Sequence, residues 1–113
     1  MSYIPEKQDI IYINFNPSLG KEIQKRRPAV VVSSHKYSEM TGFVAVFPVT
    51  HGSEKLRKQG MLIEVQSRKV DGFVNPFQLH TFDFRAREAE KVGFMKTAAF
   101  FRLVQLYHYI FEE

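Results

Sequence analysis

The chain has 113 residues, the length of a single domain, and 44% of them are hydrophobic, including eleven phenylalanines that can build a core. The formal net charge of +4 suits an anionic partner such as a nucleic acid, but many basic proteins have none, so charge alone does not decide this. The sequence contains no cysteine, which excludes disulfides, thiolate catalysis and cysteine-ligated zinc sites.

The sequence shows no membrane or secretion signal. No segment reaches the roughly 20 apolar residues that a membrane-spanning helix needs. Residues 1–9 are polar and contain Pro5, so they carry no apolar signal-peptide core. We therefore expect one cytoplasmic domain over residues 1–113, without a membrane partner.

Short apolar segments, bounded by turn residues, predict about six strands. The segments are rich in β-branched and aromatic residues, which favour strands, and asparagine, proline and glycine separate them. The predicted strands are 10–15, 29–32, 43–50, 61–65, 73–84 with an interruption at Asn75-Pro76, and 88–94. A short helical turn is predicted over 35–42, where Gly42 ends it, and a polar loop over 51–60.

The apolar period changes near the carboxyl end of the chain. Between 97 and 111, apolar residues recur at intervals of three and four, which predicts a helix with Thr97 as its N-cap. The sequence therefore predicts a mainly β fold with a C-terminal helix, which closes one opening of a small curved sheet or barrel. The helix is also apolar beside its main stripe, at Ala99, Phe101, Leu106 and Tyr109, so it either lies under other structure or forms part of an oligomer contact. Of the two, we favour a dimer.

Four segments resemble the MazF/PemK family of toxins. They are 8–17, with a turn at Asn16-Pro17; 20–33, with Arg27-Pro28-Ala29-Val30-Val31; 37–50, with Thr41-Gly42 and Pro48-Val49-Thr50; and 71–87, with Asp71-Gly72, Gln78, Asp83, Arg85 and Arg87. The resemblance implies an SH3-like barrel of about six short antiparallel strands, and a homodimer. It also implies a toxin that cuts single-stranded RNA, such as messenger RNA, at specific sequences without the ribosome, and an acidic antitoxin protein that neutralises it.

The sequence departs from the family pattern at four positions. Asn14 and Asn16 stand where acidic residues are usual, and Lys25 stands where glycine is common. Phe77 replaces the aspartate that usually precedes Gln78. The last difference bears on RNA contacts, so the assignment of Gln78 rests on less than those of Arg27 and Thr50.

Arg27 and Thr50 are the catalytic residues that the resemblance implies. Pro28 holds Arg27 in an extended backbone, and a guanidinium there can bind a scissile phosphate and stabilise its developing charge. The hydroxyl of Thr50 can donate to a phosphate oxygen if the two strands are neighbours. The alternatives are a surface arginine paired with Glu22 and a threonine bonded to its own strand end.

The implied reaction is transesterification, in which the RNA 2′-hydroxyl attacks the adjacent phosphorus, without a metal or a cofactor. The resemblance implies a role for Arg27 in proton transfer, but a guanidinium gives up its proton with difficulty, which favours phosphate stabilisation and leaves the general base open. The expected RNA-binding residues are Lys21, Lys25, Arg26, His51, Lys55, Arg57, Lys58, Gln78 and Arg85. The lysines and arginines at 21–26 and 55–58 form two basic segments that are expected to bind the RNA backbone. The alternative is that both segments are ordinary solvated loops.

Histidines and phenylalanines offer further candidates. His35, His51, His80 and His108 fall in four different elements without metal-ligand spacing, and only His51, next to Thr50, is expected near the phosphate. Phe77 and Phe82 can stack on unpaired bases, although strand phenylalanines are more often part of a core.

Two functions compete with RNA cleavage. One is a non-catalytic barrel that poisons a protein target, as the structurally related gyrase-poison toxins do, and the other is an inactive homologue that binds only RNA or an antitoxin. A protein-binding module has no need of the Arg27 and Thr50 pair, which favours the enzyme. The recognised nucleotide sequence is not encoded in these motifs.

Overall fold

The computed structural model describes residues 3–15, 26–51 and 54–112. Within these ranges it contains seven strands: β1 (Asp9–Asn14), β2 (Arg26–Val31), β3 (Phe43–Thr50), β4 (Ile63–Glu64), β5 (Phe73–Val74), β6 (His80–Asp83) and β7 (Glu90–Phe94). The helices are α1 (His35–Thr41), α2 (Glu54–Lys58) and α3 (Thr97–Tyr107), and a 3-10 turn, His108–Ile110, continues α3. The predicted mainly β fold with a C-terminal helix is confirmed.

The strands form one curled, antiparallel half-barrel in the order β4–β5–β3–β2–β1–β7. The long strand β3 is central. One of its edges pairs with β2, and its other edge is shared, because β6 pairs with Phe43 to Val46 and β5 pairs with Val49 and Thr50. Two partners on one edge bend the sheet strongly, so that the carboxyl end of β3 faces β2 on one side and β5 on the other.

Each face of the sheet has its own hydrophobic core, because side chains alternate along every strand. The helix-side core packs under α3 and contains Ile10, Val30, Val32, Phe47, Val49, Ile63, Val65, Val70, Val74, Met95, Ala99, Phe100 and Leu103. The opposite core, which we call the β6-side core, contains Ile11, Ile13, Ala29, Val31, Val44, Val46, Phe82 and Phe84. Odd-numbered residues of β2 and even-numbered residues of β3 therefore point to the β6 side.

The bounds of helix α1 are explained by the capping residues at its two ends. Ser34 caps it, since its side-chain oxygen accepts a hydrogen bond from the Tyr37 N–H at 3.1 Å. Gly42 ends it in the left-handed conformation, with φ of 78°, and donates its N–H to the Ser38 carbonyl. The predicted helical turn that Gly42 terminates is confirmed.

Helix α3 begins one residue earlier than its predicted cap requires. Lys96 occupies the cap position without a side-chain hydrogen bond, so the prediction of Thr97 as N-cap is wrong. Thr97 is the first helical residue, and its hydroxyl accepts a hydrogen bond from Gln8 Nε2 at 3.2 Å. The helix therefore ties to the segment before β1, and its regular part ends at Tyr107 rather than at 111.

Four other predicted segments differ from the structure. The polar segment 51–60 contains α2, which an ion pair of 3.3 Å between Glu54 and Lys58, one turn apart, helps to hold. Strand β2 begins three residues early because 26–28 pair with β1. The strands expected at 61–65 and 77–84 shorten to β4 and β6, since only those residues have strand partners.

Across the described ranges, none of the helices combines the length and apolar character required to cross a membrane.

Candidate active site

Arg27 and Thr50 lie at the adjacent ends of two neighbouring strands, β2 and β3. The antiparallel ladder between β2 and β3 pairs Val31 with Val46, Val30 with Phe47 and Ala29 with Pro48. The printed pairs end there, and continuing the same register by two residues sets Arg27 across from Thr50. Residues opposite one another project from the same face of a sheet, so both side chains lie on the β6 side. Arg27 is exposed and Thr50 is half-buried.

The strand register extends this line of opposing residues across the next two strands. Thr50 pairs with Phe73 of β5, and Phe73 pairs with Glu64 of β4. We call Arg27, Thr50, Phe73 and Glu64 the cross-strand row. Neighbouring members are separated by roughly 5 Å of backbone, the spacing of paired strands. A cation, a hydroxyl, an aromatic ring and a carboxylate thus follow one another on one surface.

Helix α2 places Arg57 over this row. The guanidinium carbon of Arg57 lies 5.2 Å from the centre of the Phe73 ring, a distance typical of a cation–π contact. Arg57 is exposed, whereas Phe73 is half-buried. The polar segment 51–60 therefore places a second guanidinium, that of Arg57, near the strand end where Thr50 lies.

Gly72 brings the turn before β5 against the backbone of Thr50. A Cβ atom at Gly72 would lie 2.9 Å from Val49 Cγ1 and 3.0 Å from the Thr50 carbonyl oxygen. Its φ of 135° is also strained for any residue with a side chain. The Gly72 carbonyl accepts a hydrogen bond from the Val65 N–H at 3.1 Å, which holds the turn to the end of β4.

Arg26 points away from the row, since it precedes Arg27 on the same strand. Its Nη1 donates to the Glu88 carbonyl at 2.6 Å, and its Nη2 lies 3.5 Å from Glu90 Oε1. The predicted RNA-binding residue Arg26 is thus already engaged by protein groups beside β1 and β7. A role in RNA binding stays a prediction for it.

The other predicted RNA-binding residues fall into three groups. Lys21 and Lys25 lie outside the described residues, together with the turn at Asn16-Pro17 and the alternative partner Glu22. His51, Lys55, Lys58 and Gln78 are exposed near the carboxyl end of β3, on α2 or in the segment before β6. Arg85 lies in the turn after β6, with its guanidinium carbon 5.2 Å above the Phe84 ring, and the register does not bring it into the row.

The structure reveals an aromatic cluster that the sequence patterns did not indicate. His80 packs edge-on against Phe15, with ring centres 5.2 Å apart, and stacks on Phe82 at 5.4 Å. Arg87, which donates to the Asn14 carbonyl, lies 4.5 Å above the Phe82 ring. Burial lowers the pKa of His80, and the Arg87 charge lowers it further. The alternation of His80 and Phe82 on one strand was the available signal.

The remaining candidates divide between core and surface. Phe82 is a core residue, with 8% of its side chain exposed, whereas Phe77 is 42% exposed, and its N–H donates to Asn75 Oδ1 at 3.0 Å. His108, in the 3-10 turn after α3, is exposed, and its ring lies edge-on to Tyr107.

The chain matches the family model of PemK-like, MazF-like toxins of type II toxin–antitoxin systems over residues 6–106. It is 33% identical over 91 residues to the endoribonuclease toxin MazF of Escherichia coli (strain K12), a match covering 80% of this chain and 79% of that protein. It is 32% identical over 91 residues to the endoribonuclease toxin ChpB of the same strain, with 78% of each protein covered.

Solved structures show the same fold. A crystal structure of MazF from Deinococcus radiodurans superposes with a TM-score of 0.82 at 24% identity, covering 97% of this chain and 98% of that one. A MazE–MazF crystal structure from the same organism gives a TM-score of 0.86 at 24% identity, with 97% of both chains covered. With the family model spanning 6–106, these matches show that the chain belongs to the PemK-like, MazF-like toxins of type II toxin–antitoxin systems.

Proposed function

We propose that this chain is an endoribonuclease toxin that cuts single-stranded RNA at specific sequences, independently of the ribosome and of a metal ion, with Arg27 and Thr50 at the cleaved phosphate. The relatives that are 32–33% identical to it over 91 residues are named endoribonucleases, which supports the activity. The site assignment is supported by the register of β2 and β3, which, continued two residues past the Ala29–Pro48 pair, brings Arg27 and Thr50 to opposing positions on one face.

The reaction is a transesterification at phosphorus. The 2′-oxygen loses its proton and bonds to the adjacent phosphorus, the bond from phosphorus to the 5′-oxygen breaks, and the 5′-oxygen takes up a proton. The products are a 2′,3′-cyclic phosphate and a 5′-hydroxyl. The attacking group belongs to the RNA itself, so the protein must position the phosphate and stabilise its charge.

Arg27 and Thr50 have complementary parts in this reaction. The exposed guanidinium of Arg27 offers two parallel N–H groups to the non-bridging phosphate oxygens, which gain negative charge in the transition state. The Thr50 hydroxyl donates to one of these oxygens from the neighbouring strand. The fixed register of β2 and β3 keeps both donors in place before the substrate arrives, which avoids reorganisation during the reaction.

The partners follow from the family. MazE–MazF crystal structures exist for the relative from Deinococcus radiodurans, and an endoribonuclease from Mycobacterial species was solved in complex with its cognate antitoxin. We assign an antitoxin partner to this chain as well. The antitoxin is acidic, because it must bind a chain with a net charge of +4. The toxin acts in the cytoplasm, where messenger RNA is found.

A homodimer is the assembly that the surface supports. Phe101, Tyr109 and Phe111 are exposed at or near α3, with 57%, 66% and 66% of their side chains accessible. An apolar cavity of about 170 Å³ opens beside Phe111, and its other lining residues are Val32, Ala45, Phe47, Leu79 and Tyr107. Covering this apolar surface with a second copy removes it from water.

The activity is tested with a long single-stranded RNA incubated with purified protein and EDTA, followed by mapping of the new ends. We expect discrete cuts by the unmodified chain and a loss of at least about a hundredfold in rate for Arg27→Ala and for Thr50→Ala, because each removes a donor to the transition-state charge. Arg102→Ala on α3 and Thr81→Ala on β6, both exposed, are the matched controls and should cut normally.

Two results contradict the proposal. Cutting by Arg27→Ala at the normal rate, with folding intact, removes the phosphate role from this residue. No cutting by the unmodified chain at any dose removes the enzyme itself, and the protein-binding module then replaces it.

A further inference from the structure

Phe73 holds a position that no core explains. Its neighbour Val74 is fully buried in the helix-side core, so the Phe73 ring projects from the other face of β5. Among the residues that the structure describes, it belongs to neither hydrophobic core. A large aromatic side chain on a two-residue strand, half-buried and outside both cores, lies directly beside Thr50.

Arg57 adds a planar cation to this ring. The guanidinium carbon lies 5.2 Å from the ring centre, and within the described ranges no carboxylate forms an ion pair with it. Lys58 on the same helix is instead paired with Glu54. Aromatic rings and arginine planes are the groups on which proteins stack unpaired RNA bases.

The charges along the cross-strand row determine the orientation of a bound nucleotide. Arg27 at one end attracts the phosphate, and Glu64 at the other end repels it. The uncharged base is the part of the nucleotide that can approach the Glu64 end. Phe73 lies between Thr50 and Glu64, so it faces a base when the phosphate lies at Arg27 and Thr50.

We propose that Phe73 and Arg57 form a stacking subsite for an unpaired nucleobase flanking the cleaved phosphate. This inference rests on the proposed endoribonuclease function and adds a substrate-binding residue, Phe73, that no family motif in the sequence indicates. The subsite contributes to substrate binding more than to the chemical step, because stacking is present in both the bound substrate and the transition state.

The test combines a change in the protein with a change in the RNA. Phe73→Leu removes the aromatic face but keeps an apolar side chain of similar size, and a substrate with an abasic nucleotide removes the base on one side of the cut. On intact RNA, we expect Phe73→Leu to raise KM about tenfold with little change in kcat. On RNA that lacks the stacked base, the same substitution should have almost no further effect.

Arg57 is tested in parallel, and Phe43 supplies the control. Arg57→Lys keeps the charge but loses the plane, so we expect it to raise KM on intact RNA and to have a smaller effect on the abasic RNA. Phe43→Leu changes an exposed phenylalanine at the other end of β3, paired with Asp83, and should leave KM and kcat unchanged on both substrates.

The outcomes separate this inference from the proposed function. If the unmodified chain cuts and Thr50→Ala does not, the enzyme stands, whatever Phe73 does. The loss from Phe73→Leu and the loss from an abasic nucleotide multiply if the two act independently. That result, with the abasic nucleotide on either side of the cut, would overturn the stacking subsite. A substitution at Phe73 that weakens antitoxin binding and leaves KM for RNA unchanged overturns it as well.

Discussion

Two adjacent arginines have different surroundings because a strand turns alternate side chains to opposite faces. Arg26 faces β1 and β7, where the Glu88 carbonyl and the Glu90 carboxylate bind its guanidinium. Arg27 faces the other way, in line with Thr50. The run of basic residues from 21 to 27 therefore contains one arginine turned toward the candidate site and one held by neighbouring protein groups.

His80 makes stability depend on pH. Its pKa is lowered from 6.5, first by burial and then by the Arg87 charge. As the pH falls through 6.5, the imidazole binds a proton in the unfolded chain before it does so in the folded chain. Protonation thus favours unfolding, and stability is lost between pH 6.5 and the lowered pKa of the folded state.

We expect His80→Gln to lose less stability than the unmodified chain between pH 7 and pH 5. The measurement is the midpoint of chemical denaturation at both values, with His35→Gln as the control because His35 is exposed on α1. An equal loss in the unmodified chain and in both variants would show that His80 is not the responsible group.

At the scale of elements, the turn before β5 fixes where β3 ends. Gly72 lies so close to Val49 and to the Thr50 carbonyl that a methyl group there cannot fit without displacement. We expect Gly72→Ala to destabilise the fold by about 1–3 kcal/mol and to slow RNA cleavage, since the displaced atoms include the backbone of Thr50.

Gly60 is the matched control for Gly72. It also has a positive φ, of 70°, but nothing lies within 4 Å of a Cβ built on it. Gly60→Ala should therefore cost about 1 kcal/mol from the backbone alone and leave the cleavage rate unchanged. Urea unfolding and cleavage rates measured on both variants decide the matter, and equal effects of the two substitutions would contradict the packing argument.

The sequence predicts elements well where local chemistry determines them. The strands at 10–15 and 43–50 and the helix stop at Gly42 follow from side-chain type and backbone preference. Helix α2 was missed because its five residues, four of them charged, are too few to show an apolar period, and because its contact is with Phe73, distant in sequence. Thr97 was misplaced because Gln8, also distant in sequence, binds its hydroxyl.

At the scale of the whole molecule, one sheet separates two cores and leaves one strand end open. Helix α3 covers the helix-side core, and β6 with its following turn covers the other. The carboxyl end of β3 lies beyond β6, where β2 and β5 are its neighbours. The fold thereby presents the cross-strand row at the surface of a rigid sheet, where an extended RNA strand can reach it.

The family resemblance identified Arg27 and Thr50 from the sequence, but it could not place them. Their proximity depends on the register of two strands separated by α1, and the position of Phe73 depends on a third strand. Such pairings are long-range contacts that no local pattern encodes. For the same reason Phe73 was not predicted as a site residue, since in its own segment it is one more strand phenylalanine.

The central claim, that the RNA 2′-hydroxyl is the nucleophile at a phosphate held by Arg27 and Thr50, is tested most directly by one substrate. It is a short RNA containing a mapped cut site, with a single 2′-deoxy nucleotide on the 5′ side of the cleaved bond, compared with the all-ribose RNA in EDTA. We predict that the all-ribose RNA is cut to a 2′,3′-cyclic phosphate and that the deoxy RNA is bound but stays intact. Cutting of the deoxy RNA at the same bond would contradict the mechanism.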